Sequence, residues 1–264
     1  MTGSGHDGVT VITATRGRPE LLARALRSVA GQCCRHVAEH LVLVDDCPDT
    51  LRSLAAGTPP LVRVEPAPRG PGEVTGPRRL GRLRQLGAET ATTRWIAFLD
   101  DDNEWRPDHL HRLLDTARRT EAPAVHSWLQ VVDAAGRPYL DPVFPWVKDD
   151  ERGRREYERL RGLGVVTPGS NVYRDRADRG DGPADIQSVD GGEWLLDREL
   201  ALSVGFEFEF TEYDRDHLVA DDDKFLAALL RDGAEIACTQ RATLVYRLGG
   251  FSTSTAPEDQ VSWL

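Results

Sequence analysis

Apolar residues in this chain gather in short runs, separated by stretches in which they recur about every 3.6 positions, the pattern of strands alternating with helices. Val9-Thr10-Val11-Ile12-Thr13 reads as a buried strand, and Pro19 then opens a helix with Leu21, Leu22, Ala25, Leu26 and Val29 on one face. Leu41 to Val44 gives a second strand that ends in Asp45 and Asp46. Strand, helix and strand in so short a span predict a right-handed βαβ unit with parallel pairing. A weak helix near Leu51 to Ala56 precedes a third strand, Leu61 to Val64, and the Pro- and Gly-rich segment Pro66 to Pro77 predicts a loop. A helix from about Pro77 to Ala91 leads into a fourth strand at Trp95 to Leu99. Pro107 opens a further helix, and Val125 to Val132 reads as a strand. From Phe144 to about Asp190 the pattern gives way to charged and Gly/Pro-rich sequence. An irregular region is expected there, with 149–185 a candidate lid. Order returns at Gly192 to Leu196, in an amphipathic helix from Asp222 to Arg231, and in a strand from Ala242 to Tyr246.

No repeat or domain-scale linker interrupts this order. The expectation is one α/β domain over 1–264, a mixed and mainly parallel sheet flanked by helices. The first part, about 8–105, resembles a nucleotide-binding half; a second half, about 106–247, would build the variable wall of the site, and 248–264 would be a tail. With 264 residues and 40% hydrophobic content, the chain can bury a core without covalent staples. A net charge of -10 and a pI near 5.2 argue against nucleic acid or an anionic membrane as partner, since both are bound through clustered Lys and Arg. Cys33, Cys34, Cys47 and Cys238 have neither zinc-ligand spacing nor a disulfide frame, so reduced thiols in a cytoplasm are expected. No run approaches the roughly 18 apolar residues of a spanning helix. Basic residues are nearly all Arg, with abundant Ala and Gly, which points to a GC-rich bacterial genome.

The chemistry-bearing feature is Ile96-Ala97-Phe98-Leu99 running into Asp100-Asp101-Asp102, an apolar strand that delivers carboxylates to one edge of a sheet. If strands one, two and four are parallel neighbours, Thr15, Asp45 and Asp100 emerge on that same edge. A carboxylate there can accept hydrogen bonds from a base or ribose, and another can hold a divalent cation whose remaining positions are filled by phosphates and water. A second acidic cluster, Asp221-Asp222-Asp223, opens a helix. Either cluster alone is also compatible with a solvated turn or with capping of free helix N-H groups.

Five motifs in order resemble inverting family-2 glycosyltransferases of the GT-A fold. They are Thr13-Ala14-Thr15-Arg16-Gly17-Arg18-Pro19, Val44-Asp45-Asp46, Arg84-Gln85-Leu86-Gly87, Asp100-Asp101-Asp102 with Asn103 to Pro107, and Gly205-Phe206-Glu207 followed by Asp221-Asp222. Gly17 and Gln85 stand where the family usually has Asn, and the gap from Gly205 to Asp221 is longer than common. The resemblance implies a nucleotide-diphosphate sugar donor, carrying UDP, GDP or dTDP, bound by Ala14, Thr15, Arg16, Asp45, Arg84, Asp100 and Asp101. It implies Mg²⁺ or Mn²⁺ on Asp102 and Asp222 as general base on an acceptor hydroxyl. Trp105, Trp194 and Asp221 are candidate acceptor contacts, although buried tryptophans are more often core. A natural product or an envelope glycan would suit as acceptor. Two other readings stay open: a nucleotidyltransferase, although the single Gly after strand one fits that poorly, and a non-catalytic binding module on the same scaffold.

Overall fold

Strands that are apolar on both faces need covering on both sides, and the chain supplies helices for each. The structure, a computed structural model, describes residues 8–33, 36–55, 57–73, 75–177, 188–217 and 219–250. The N-terminal elements are β1 (Val9–Thr15), α1 (Pro19–Ala30), β2 (Val37–Asp45), α2 (Pro48–Ala55), β3 (Val62–Ala67), α3 (Pro77–Thr90) and β4 (Trp95–Phe98). Then follow β5 (Glu104–Trp105), α4 (His109–Thr120), β6 (Ala124–Val132), α5 (Asp150–Gly162), β7 (Val172–Tyr173), β8 (Trp194–Asp197), α6 (Arg198–Val204), α7 (Glu212–Asp216), α8 (Asp221–Arg231) and β9 (Ile236–Arg247).

The strands form one mixed sheet in the order β3-β2-β1-β4-β8-β6-β9-β5, with β7 paired to β6. β1 to β4 are mutually parallel, in the order 3-2-1-4. β8 inserts antiparallel between β4 and β6, and β9 runs parallel to β6. Alternate residues of the central strands point to opposite faces. Val9, Val11, Ala97 and Leu99 pack with Ala25 and Val29 of α1 and with Leu110, Leu113 and Leu114 of α4. Ile12, Ile96 and Phe98 pack on the other face with Leu83 of α3, Ala201 of α6 and Phe225, Leu226 and Leu229 of α8. Helix α3 comes unusually close to the sheet because it carries glycine at the contact: a Cβ on Gly87 would stand 2.5 Å from Ile12 Cγ2. Buried Thr13 is paired within the sheet, its Oγ1 donating to Leu99 O at 2.7 Å and lying 2.9 Å from His40 Nε2.

Two expectations need correction. The region after Phe144 is not irregular throughout, because α5 occupies 150–162. Only Gly153, Tyr157 and Leu160 of that helix are buried, so it lacks the wide apolar stripe by which helices are recognised. Its stability comes instead from Asp149 capping the Arg152 N-H at 2.7 Å and from paired charges along its surface, such as Glu151 with Arg155 at 2.6 Å. Each exposed pair is worth only a few tenths of a kcal/mol, so docking of Tyr157 and Leu160 does the rest. The 149–185 lid therefore cannot be one continuous loop; part of it, 178–187, lies outside the described residues. The last strand is also longer than 242–246, starting at Ile236 through polar Thr239, Gln240 and Arg241. Cys34 and 251–264 of the expected tail lie outside the described residues as well. Among the described residues no helix is long and apolar enough to cross a membrane.

Candidate active site

Parallel pairing brings the C-terminal ends of β1, β2 and β4 to one edge, so Thr15, Asp45 and Asp100 do emerge together. The loop after β1 is tied to its neighbours by hydrogen bonds. Arg16 donates to the carbonyls of Asp45 and Asp46 at 2.9 and 3.0 Å, and the Gly17 N-H donates to Thr50 Oγ1 at 3.1 Å. Gly17 holds φ at 64°, a left-handed conformation that glycine adopts without penalty. Asp45 is buried and ion-paired with Arg69 and with Arg79, whose Nε lies 2.9 Å away. Burial acts to raise its pKa, but the two guanidiniums prevail and hold the carboxyl below its usual value. Ala14, Leu80, Arg84, Phe98 and Asp100 line a small cavity at this edge.

Strand β4 ends at Phe98, and the backbone then turns, so the three aspartates do not alternate as in a continuing strand. Asp100 is partly exposed, whereas Asp101 is fully buried and accepts a 2.6 Å hydrogen bond from Thr15 Oγ1. Arg18 bridges Asp101 and Asp102, reaching Asp102 Oδ2 at 2.8 Å. Asp101 and Thr15 are thus buried against each other beneath the edge, whereas the sequence placed both among the nucleotide-sugar contacts. Burial and the proximity of Asp100 raise the pKa of Asp102, with Arg18 opposing them. Gly250 passes directly over Asp102, where a Cβ would strike the carboxylate.

The second acidic cluster meets the first through Arg84. This side chain is buried, donates to Asp221 Oδ2 at 2.5 Å, lies 3.7 Å from Asp100 and sits over the Phe98 ring at 5.7 Å. Gly191 leaves room for it, since a Cβ there would strike the guanidinium. Arg84 is the internal counter-ion joining β4 to α8, and it also lines the small cavity at this edge together with Asp100. Asp221 is likewise turned inward. Asp222 is half-buried, with Oδ2 accepting from Gly191 N at 3.3 Å and Oδ1 from Asp223 N at 3.0 Å. Burial raises its pKa, Asp100 adds to this, and Arg84 works against it.

Trp105 and Trp194 are core residues and offer no face to an acceptor. Trp105 stacks on His109 at 4.4 Å and donates its indole N-H to Gly192 O at 2.8 Å. Trp194 is 1% exposed and packs edge-on against Phe225. What sequence reasoning missed is Arg18, Asp175, Asp190 and Glu193. The last two flank Gly191-Gly192 just before β8, and acids bracketing a glycine pair ahead of an apolar strand were the available signal.

Asp175, Asp221 and Asp223 are each pushed up to about 7, and Asp190 and Glu193 well above the ordinary carboxylate value, chiefly by burial; neighbouring carboxylates add to the rise, while Arg84 opposes it at Asp221 and a hydrogen bond with Glu193 opposes it at Asp175. In the unfolded chain these carboxyls ionise near pH 4. Between about pH 4 and 7 the folded protein therefore binds more protons, and the cluster's contribution to stability is lost as pH rises through 7. Melting temperature at constant ionic strength should fall between pH 6 and pH 8; a rise across that interval would contradict the buried cluster.

An open α/β sheet with its ligand edge at the ends of β1, β2 and β4, continued by an antiparallel β8 and the acidic N-terminus of α8, is a GT-A fold. Residues 10–180, more than half of the chain, match the model of glycosyl transferase family 2, and the chain belongs to that family. It is 35% identical over 131 residues to the succinoglycan biosynthesis protein ExoO of Rhizobium meliloti (strain 1021). That alignment covers 49% of this chain and 35% of the relative, so the chain spans about a third of that protein. The fold is similar to the crystal structure of S. aureus TarS 1-349, with TM-score 0.58 and 14% identity over 91% of this chain and 60% of that one. The complex of TarS 1-349 with UDP-GlcNAc gives TM-score 0.59 and 15% identity over 95% and 61%.

Proposed function

We propose that the protein transfers a sugar from a nucleotide-diphosphate donor to an acceptor hydroxyl by a single inverting displacement. The observation that carries this is the joining of the two acidic clusters through Arg84, which sets Asp222 beside the ligand edge of the sheet. The donor's nucleotide would lie along the loop after β1, near Ala14 and Arg16, with Asp45 and its arginines at the base and Asp100 at the ribose. UDP is the first nucleotide to test, because the similar TarS structure holds UDP-GlcNAc.

Asp222 is the base in this reading. Its carboxylate takes the hydroxyl proton as the acceptor oxygen bonds to the anomeric carbon, while the bond from that carbon to the diphosphate oxygen breaks. The Gly191 and Asp223 N-H groups orient it. Among the described residues no three acidic, His or Cys side chains are grouped to hold a metal ion, so a hard divalent cation here would rest on the oxygens of Asp100 and Asp102, with donor phosphates and water filling its other positions. Asp102 with Asp100 would hold Mg²⁺ or Mn²⁺, which when bound supplies charge neutralisation to the leaving diphosphate. Arg18 fixes Asp102 from behind and anchors the loop after β1.

Incubation with UDP-, GDP- and dTDP-sugars tests the reaction class. One donor should release its nucleoside diphosphate, and NMR of the product should show the anomeric configuration inverted. Retained configuration would rule out the single displacement, and release of pyrophosphate from a nucleoside triphosphate would favour nucleotidyl transfer instead.

A further inference from the structure

Strand β9 ends at the same edge as β1, β2 and β4, because it runs parallel to β6, and β6 is joined to β4 through the antiparallel β8. Its last residues are pinned there. Arg247 N donates to Asn103 Oδ1 at 3.0 Å, the Arg247 guanidinium pairs with Glu104 at 2.6 Å, and Leu248 N donates to Val132 O at 2.9 Å. The chain then turns at Gly249, whose φ of 95° suits glycine and strains any other residue. Gly250 crosses Asp102 so closely that only a residue without a side chain fits: a Cβ there would strike Asp102 Oδ2 and stand 2.8 Å from its Cγ. The same oxygen accepts from Arg18 Nη1 at 2.8 Å, and the Asp102 side chain is left 13% exposed. Beside it, the cavity between Ala14, Arg84, Phe98 and Asp100 measures about 10 Å³, room for one water molecule. A bound small molecule of nucleotide size needs roughly 300 Å³ or more.

We propose that Gly249 and Gly250 form a lid that rests closed over Asp102 and swings aside, about the pinned Arg247 and Leu248, to admit the donor and its cation. This rests on the reading of this edge as the donor site. The other walls are held more firmly, Arg18 by two carboxylates and α8 by the buried Arg84, whereas the lid lies beyond the last pinned residue and has a glycine backbone. Only the open fraction of the protein binds, so closure lowers the apparent affinity by that fraction. Nucleotide and cation both select the open form, and each therefore promotes binding of the other.

A reversible cross-link tests the lid. A Cβ on Gly249 would lie 3.6 Å from Ala134 Cβ, within the span of a disulfide. In the double variant Gly249→Cys with Ala134→Cys, oxidation should weaken UDP in the presence of Mn²⁺ at least about a hundredfold by titration calorimetry, since only chains left uncrosslinked still open, and re-reduction should restore it. Gly249→Cys alone, with the same backbone strain, and the wild type, with its Cys33, Cys34, Cys47 and Cys238, should pass through the same cycle unchanged. Gly250→Leu cannot close over Asp102 and should bind UDP with Mn²⁺ at least as tightly as the wild type. Equal affinity in the oxidised and reduced double variant, or loss of UDP binding in a Gly250→Leu protein that melts like the wild type, would overturn the lid. Binding of Mn²⁺ alone, followed by its EPR signal, separates the lid from the nucleotide reading. If the wild type binds no UDP, that reading falls; Mn²⁺ binding that is lost on oxidation still supports the lid, and Mn²⁺ binding that is equal in both forms removes it.

Discussion

Asp222→Asn should lower sugar transfer by about 10²- to 10⁴-fold, the usual contribution of a positioned general base. The substitution keeps the side-chain shape and one acceptor oxygen, which can serve the Asp223 N-H at the start of α8, while the longer 3.3 Å bond from the Gly191 N-H is given up. It also removes a buried negative charge from a crowded cluster, so the melting temperature should hold or rise. Nucleotide affinity should be unchanged. Steady-state turnover beside a thermal melt makes the separation clear, and a variant with more than a tenth of wild-type turnover would show that another group takes the proton.

Arg84→Ala should be the most destabilising single change in the site, by about 3–5 kcal/mol in denaturant titration, the cost of stripping a buried carboxylate of its partner. Arg84 is 6% exposed and serves Asp221, Asp100 and Asp222 together. Its loss also empties the space between Phe98 and Gly191. Because burial already favours the protonated form of Asp221, the penalty should shrink as pH falls below about 7. Adding Asp221→Asn to Arg84→Ala should recover part of the loss, as a coupled pair requires. A cost under about 1 kcal/mol would mean that Arg84 is a surface pair after all.

The order of strands and helices was readable because the central strands are apolar on both faces and their helices carry a broad stripe. From that order follows the convergence of Thr15, Asp45 and Asp100, which needs nothing but parallel pairing. Helix α5 was not readable, since two buried side chains in thirteen residues leave a pattern dominated by charge. The polar run Thr239-Gln240-Arg241 hid the length of β9, where Gln240 takes φ of 54° and the register with β6 shifts between His126 and Trp128. Within the site, identity was easier to read than direction. Asp101 and Asp102 could be named, but which one turns inward depends on where β4 stops and on Arg18 reaching across 83 residues. The tryptophans show the same limit, because a ring's face is buried or offered only once its neighbours are in place. Asp190 and Glu193 stand close in sequence, but Asp175 joins them only once the chain is folded.

The most direct test is titration calorimetry of UDP, GDP and dTDP, each with and without Mn²⁺, on the wild type and on Asp102→Ala. One nucleotide should bind, its affinity should depend on Mn²⁺, and that dependence should vanish in Asp102→Ala. If none of the three binds under any condition, this sheet edge is not a nucleotide site, and the chain is better understood as a binding module on a transferase scaffold.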